Sequence, residues 1–511
     1  MTYKNDREIS LDSASRKISI SLFLMSFLVI LLVYGRLLGE HLSPDYFAVH
    51  VNSVKEFPHH IRNGRIVYGL VFYAVQTIGL TVTTYAPLYT FLFMVVAAFC
   101  IMRMSTRLCA AAGQNSFAKN LMCSFALMIS MVNVSMTEWY LFLEVMLMFA
   151  MALLFASEAA LIYARRDLSL MKRATISFAL FFISINCYQA ALSWYITLAL
   201  VCVLVVNQFR LNRQAIVEGI TVTAVGGVNA VLNQLIVRFA SMFEFVGVPG
   251  RQASFSWKDF IVNMIKSVPV QINFLQNGFS LMPAYFLLAA FGIGILVLLF
   301  AVYRNNRGTA WYKQAAWLLF ALGICYAFVY VPHFAANYMV ISPRAIAGLF
   351  LVLSVTFVVV ILLGDRWTHG LAIVCVSGIL VVSCVHIEKI IDDHLLTSER
   401  DLLEVEGIVS AINAHEQAGG ENVEEVCVIQ DRIPNYYYPD TVKRVLDINL
   451  RQIVVEWEQV NMLTAITGRS FEQVFVSEED AAAIVQGRNW NEFIPEEQLI
   501  FEGNRLYIIS H

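Results

Sequence analysis

Eleven apolar runs of membrane-spanning length dominate the chain between residues 18 and 385. They lie at 18–38, 85–104, 119–135, 140–163, 173–187, 188–206, 214–238, 283–303, 314–331, 344–363 and 368–385. About 20 apolar residues in a helix cross the ~30 Å hydrocarbon core of a bilayer, and only helices or closed barrels satisfy their backbone there. The expected fold is therefore a polytopic α-helical membrane protein with about eleven transmembrane helices. A hydrophobic content of 58%, only 14% charged residues and a mean hydropathy of +0.65 exclude an ordinary soluble enzyme.

Charge divides the chain in two. Residues 398–511 hold 21 acids against 8 bases, leaving 17 acids and 27 bases upstream. That split separates a membrane body with basic loops, 18–397, from an acidic tail, 398–511. Basic clusters at Arg103/Arg107/Lys119, Arg165/Arg166/Lys172/Arg173, Arg210/Arg213, Arg304/Arg307/Lys313 and Arg366 all fall on one side, with Arg16 and Lys17, provided that the shorter run Ile66 to Thr83 does not cross. The positive-inside rule then makes residues 1–17 a cytoplasmic N-terminus, 66–83 a re-entrant or interfacial helix, and 39–84, 239–282 and the tail extracytoplasmic. Strand signals at 425–430, 474–476 and 499–509, with helical spacing over 398–417 and 440–463, give the tail a mixed α/β character. An integral membrane protein with an extracytoplasmic α/β domain is expected.

The stretch GEHLSPDYFAVHVNSVKEFPHHIRNGR, 39–65, carries Glu40, Asp45, Lys55, Glu56, Arg62 and Arg65 with four of the ten histidines. A carboxylate and guanidinium groups at a bilayer surface suit one task, activating a hydroxyl while neutralising a lipid-linked phosphate. Asp45, in Ser43-Pro44-Asp45, reads either as a helix cap or as that base, with Glu40 in reserve. Arg62 and Arg65 read either as interfacial anchors or as phosphate ligands. His41, His50, His59 and His60 lack metal-ligand spacing, so neither a metal nor another cofactor is expected.

Further candidates follow on the same side. Glu138, in Thr137-Glu138-Trp139-Tyr140, reads either as a complement to the next helix start or as a second acid; Glu144 is a deeper carboxylate that marks a cavity or partner. Tyr188 and Gln189 interrupt two apolar runs. His333, Asn337, Tyr338 and Arg344 crowd one turn, and Arg344 runs against the positive-inside tendency, which makes it a second phosphate candidate. The loop VGVPGRQASFSWKDF adds Arg251 and Trp257 as substrate-binding candidates. Tail aromatics Tyr436, Tyr437, Tyr438, Trp457 and Trp490 read as core or as sugar-stacking groups, and no nucleotide-binding or nucleic-acid motif is present.

Taken together, the acid-bearing first loop (Glu40, Asp45), the Asn63-Gly64-Arg65 turn, Thr137-Glu138-Trp139-Tyr140, Tyr188-Gln189 and Ser342-Pro343-Arg344 resemble the serotype-converting O-antigen glucosyltransferases of the Gtr type, within the GT-C class of membrane glycosyltransferases. Paired acids are frequent in the first loop of that class, whereas here Tyr46 follows Asp45. The resemblance implies a GT-C-like body, an undecaprenyl-phosphate-linked glucose donor at the outer face, and an acceptor sugar in O-antigen of lipopolysaccharide. Under it, Asp45, Glu138 and Glu40 are the catalytic candidates, and Arg62, Arg65 and Arg344 hold the donor phosphate. An O-antigen polymerase or acyltransferase, and a flippase or transporter of polyprenyl-linked glycans, share the multispan body and remain open alternatives.

Overall fold

The computed structural model describes residues 2–52, 56–243, 246, 256–306, 311–334, 340–430, 436–455, 458–485, 490 and 492–510, with side chains described from residue 16 onward. Arg251, Asn337, Tyr338 and Trp457 lie outside the described residues.

Among those residues, eight helices are long and apolar enough to cross a bilayer: Arg16–Leu38, Ala86–Ala111, Leu143–Ala164, Arg213–Ala240, Phe286–Asn305, Trp311–Phe334, Pro343–Leu363 and Arg366–Gln417. A bent pair, Phe117–Ser130 and Val134–Tyr140, raises the number to nine if it is one span. Two of the expected eleven runs, 173–187 and 188–206, form 16-residue helices, Leu170–Ile185 and Ala191–Val206, each only ~24 Å long. The latter is buried along all but its last residue, so packing rather than lipid surrounds it. The run at 66–83 is helical only over Ile66–Thr77, 12 residues and ~18 Å, too short to cross.

Polar side chains set the helix boundaries. Ser116, Ser169, Asn212, Ser256 and Asp365 each accept the backbone N–H three residues on, satisfying a donor that the first helical turn leaves open. Asn133 closes the 71° break in the bent pair from both sides. Its Nδ2 donates to the carbonyls of Ile129 and Ser130 at 2.9 and 3.0 Å, and its Oδ1 accepts from Met136 N at 2.8 Å. A fully buried break without those bonds would leave backbone groups unsatisfied in an apolar core. This turn aims Glu138 back into the protein.

The expected 239–282 loop contains a helix, Trp257–Asn277, with Pro269 inside it. Ile261, Ile265, Val268 and Ile272 form an exposed apolar stripe while Asn263 and Ser267 are buried. The spacing is helical, but its polarity is inverted relative to a water-facing loop.

Arg366–Gln417 is one continuous 52-residue helix, ~78 Å long, where the sequence indicates a span followed by a separate helix. Its first half, including Val376, Ile387 and Ile391, packs in the bundle core. Its second half carries Val405, Ile408 and Ile412 into a second core with Leu42 and Phe47 of the first loop. One rigid rod therefore joins the bundle to the C-terminal segment.

Beyond that helix, strands β1 (Glu425–Gln430), β2 (Glu472–Gln473), β3 (Leu499–Glu502) and β4 (Arg505–Ser510) form a sheet in the order β2-β1-β4-β3. β1 runs parallel to β2 and β4, and β3 pairs antiparallel with β4 through a turn at Gly503, whose φ of 60° suits glycine. Alternation places Val426, Leu506 and Ile508 in the core shared with the long helix, and Cys427, Ile429, Tyr507 and Ile509 against Trp490 on the other face. β2 lies at 472–473 rather than at 474–476.

Among the described residues, the helix expected over 440–463 forms from Gln459 to Thr467. Side chains of the long helix supply the bonds that a helix would have made internally: Asp393 accepts from Val442 N and Lys443 N, and Asp401 accepts from Gln452 N. Tyr438 donates to Asp401 and Glu404 at 2.9 Å and is buried, as is Trp490, so both are core aromatics; Tyr436 is exposed.

Candidate active site

Asp45 is the residue at which the Tyr46–Val51 helix begins, yet its side chain does not cap that helix. Glu458, from the C-terminal segment, performs that role: Oε2 accepts from Phe47 N and Oε1 from Ala48 N, both at 3.0 Å. The cap reading of Asp45 is thus replaced by a long-range one. Half-buried, Asp45 lies within electrostatic range of Glu56, Glu144, Glu458 and Arg65.

Glu144 is 2% exposed; its Oε2 accepts the Ser43 hydroxyl while Oε1 is buried without a hydrogen-bond partner. The Tyr68 hydroxyl donates to the Glu144 carbonyl at 3.0 Å, tying the Ile66–Thr77 helix to this carboxylate. Burial, and then the Asp45 charge, push the Glu56 carboxyl up to about 7, against the opposing pull of Arg62 and Arg65. Glu458 is held well above the usual carboxylate range by burial first, with Asp45 and Glu144 adding to it and the two backbone donors working against it.

Arg65 supplies the uncompensated positive charge. Its Nε is buried with no hydrogen-bond partner, and its guanidinium makes no ion pair among the described residues. Its carbon Cζ sits 5.9 Å from the Tyr188 ring centre. Burial lowers its pKa, with the Arg344 charge adding to that and Tyr188 and Asp45 opposing it. The turn before it is pinned from three directions. Asn233 Nδ2 donates to Gly64 O at 2.7 Å, Gln189 Nε2 donates to Asn63 O at 2.8 Å, and Val67 N donates to Asn186 O at 3.1 Å. Gly64 has φ +77°, and a Cβ there would collide with the Gln189 side chain.

Arg344 is differently placed. Its Nη1 donates to Glu138 Oε1 and to Asp447 Oδ2, each at 2.6 Å, and its backbone N–H donates to Glu138 Oε2. The guanidinium lies 4.3 Å from the Phe142 ring centre, and its carbonyl accepts Trp139 Nε1 at 2.8 Å. Two carboxylates already hold Arg344, so its charge serves this ion triad rather than standing open for a phosphate. Glu138 is likewise fully buried as its partner and shows no separate acid position. Tyr188 lies between the two arginines, and Trp139 meets its ring edge-on at 5.4 Å.

The remaining candidates disperse. Arg62 is exposed and donates to His59 Nδ1 at 2.8 Å. Glu40 is exposed. Gln189 positions the 63–65 turn. His333 Nδ1 faces Val340 O at 3.0 Å. Trp257 is 72% exposed at the start of its helix. The four first-loop histidines go four ways: His41 to His394 at 2.9 Å, His50 to Thr83 Oγ1 at 3.1 Å, His59 to Arg62, and His60 between Tyr68 and Phe72. Among the described residues no three His, Cys, Asp or Glu side chains group to hold a metal ion.

Asp447 and Glu458 are the site residues that sequence reasoning missed. Both stand in an acidic tail of 21 carboxylates and carry no local motif; only the return of the chain across the bundle distinguishes them. No protein-family model, no curated protein and no solved structure matches this chain.

Proposed function

We propose that the protein is a GT-C-like membrane glycosyltransferase that moves a hexosyl residue, glucose by its Gtr-type resemblance, from undecaprenyl phosphate to O-antigen on the periplasmic face of the bacterial inner membrane. The observation that carries this reading is the pairing of unlike roles at one place: Asp45, whose helix is capped by Glu458, beside Arg65, a half-buried arginine with a buried, unpartnered Nε and no ion pair among the described residues. An anionic phosphate supplies the bidentate acceptor that such a guanidinium lacks. Counting the bent pair and the two 16-residue helices as crossings gives eleven, the number expected from the sequence, and puts the acidic α/β tail on the same side as Asp45.

In this reading the acceptor hydroxyl gives its proton to Asp45 as its oxygen bonds to the anomeric carbon. The bond from that carbon to the phosphate oxygen breaks, and undecaprenyl phosphate leaves with the electron pair beside Arg65. Glu144 and Glu56 add carboxyl groups within electrostatic range of the base. The Glu138–Arg344–Asp447 triad fixes the wall behind Tyr188.

The test is Asp45→Asn and Arg65→Gln, each at normal expression, in cells whose O-antigen is analysed by mass spectrometry with linkage determination. Loss of the added hexose in both variants supports the reading, with a decrease of roughly 10²–10⁴ in rate for the carboxylate. Undiminished transfer by Asp45→Asn removes the base assignment, and O-antigen identical with and without the wild-type chain removes the function.

A further inference from the structure

The Leu170–Ile185 and Arg213–Ala240 helices end at the candidate site and begin together at a second polar pole. At the site end, Asn186 and Asn233 hold the 63–68 turn. From Asn233 back to Arg213 is ~30 Å of helix, the thickness of a hydrocarbon core.

At this far pole a cavity of about 560 Å3 is lined by Arg166, Ser169, Arg173, Arg213, Gln214 and Glu218, among others. Glu218, 1% exposed, is the single carboxylate of the lining, and both of its oxygens accept hydrogen bonds. Arg166 Nη1 lies 2.5 Å and Arg173 Nη2 2.9 Å from Oε1, Gln214 Nε2 donates to the same oxygen at 3.2 Å, and Asn207 Nδ2 donates to Oε2 at 3.0 Å. Three guanidinium groups against one carboxylate leave two positive charges in excess. Arg213 makes no ion pair among the described residues, and Arg173, 4% exposed, keeps a buried Nε without a partner. Two helix N-termini, capped by Ser169 and Asn212, add their partial positive charge to the same space.

The surroundings are apolar and open. Met171, Leu211, Ile216, Val217 and Ile220 are all exposed next to the arginines. A soluble phosphate has no use for that surface, whereas an amphiphile covers it.

We infer that this pole is a binding site for the phosphodiester headgroup of an anionic phospholipid, distinct from and a bilayer's thickness away from the Asp45 site. Arg213 and Arg166 hold the headgroup oxygens, and the acyl chains lie on the exposed apolar residues of the Arg213–Ala240 helix. Basic pockets between transmembrane helices on the cytoplasmic side bind anionic lipid headgroups in this way, and the arginine clusters at 165–173 and 210–213 are on the side read as cytoplasmic.

The experiment uses the full-length protein in phosphate-free detergent. Thermal unfolding is followed with dioleoyl phosphatidylglycerol, with dioleoyl phosphatidylcholine, and with inorganic phosphate, for wild type, Arg213→Gln, Arg213→Lys and the double variant Arg166→Gln/Arg213→Gln. Phosphatidylglycerol is expected to raise Tm by several degrees more than phosphatidylcholine. Arg213→Gln and the double variant lose that difference while Arg213→Lys keeps most of it, and native mass spectrometry shows retained phosphatidylglycerol only where the difference persists. Equal effects of the two lipids, or a difference undiminished in the double variant, overturn the site. A rise produced fully by inorganic phosphate alone assigns the anion to a soluble phosphate and overturns the lipid. If the double variant does not fold, the Arg213→Gln and Arg213→Lys pair decides by itself.

Discussion

Arg344 and Asp447 stand 103 residues apart in the chain and 2.6 Å apart in space. Their bond joins the start of a transmembrane helix to a turn of the C-terminal segment, and the same guanidinium nitrogen holds Glu138, whose side chain is 0% exposed. Removing the cation leaves a buried carboxylate without its partner, which costs about 3–5 kcal/mol. Arg344→Ala is therefore expected to lower thermal stability severely in detergent, and Glu138→Gln combined with Arg344→Gln to recover part of it. Asp447→Asn, at a side chain 32% exposed, is expected to cost only about 1 kcal/mol.

Glu458 caps the helix that Asp45 begins. Glu458→Ala removes two backbone partners at Phe47 and Ala48, a loss on the order of 1–2 kcal/mol. The vacated amides then draw the Asp45 carboxylate into the cap. Transfer activity is expected to fall by more than the stability change accounts for, whereas Glu458→Gln, whose single amide oxygen still accepts from one of the two N–H groups, keeps part of it. Parallel melting curves and transfer rates check this, and a loss of activity that only tracks unfolded protein would refute it.

Glu56 has a folded-state pKa raised from 4.5 to about 7. In the folded state the proton is held more tightly than in the unfolded chain, so the stabilising contribution is complete below about pH 4.5 and is lost as pH rises through about 7. The size is on the order of 1 kcal/mol once solvent screening is allowed for. Glu56→Gln is expected to flatten the stability profile over that interval and to equal or exceed the wild type at pH 8. An unchanged slope would show that Glu56 is not the titrating group.

Gly64 places Arg65. With φ at +77° and the Gln189 side chain against the position of a Cβ, Gly64→Ala costs roughly 1–3 kcal/mol of local strain. The turn relieves it by moving the 63–65 backbone, and Arg65 moves too. The donor KM is expected to rise more than the melting temperature falls, and Gln189→Ala in the Gly64→Ala background is expected to restore part of the loss by clearing the clash.

The short motifs at 63–65 and 188–189 were legible because each is local. Asn63-Gly64-Arg65 needs a positive φ that glycine supplies, and Tyr188-Gln189 breaks two apolar runs with groups that need partners. Their mutual contact, Gln189 to Asn63, was not legible, because nothing in either motif names the other. Arg344 shows the same limit from the opposite side: its position at the start of a span marked it as a phosphate candidate, but Glu138 and Asp447 hold its guanidinium in the structure. The segment 440–463 carried helical apolar spacing, and at Val442, Lys443 and Gln452 side chains of the 52-residue helix outcompeted it by offering the backbone partners elsewhere.

Hydrophobic periodicity by itself determined that the chain is a bundle of membrane-length helices with an acidic segment appended, since apolar run length and backbone satisfaction in lipid admit little else. Which carboxylate is engaged and which arginine is left over was decided only in three dimensions. Charges are long-range and unordered in sequence, so the same letters Asp45, Arg65 and Arg344 acquire different roles once Glu458 occupies one cap and Asp447 closes one ion triad.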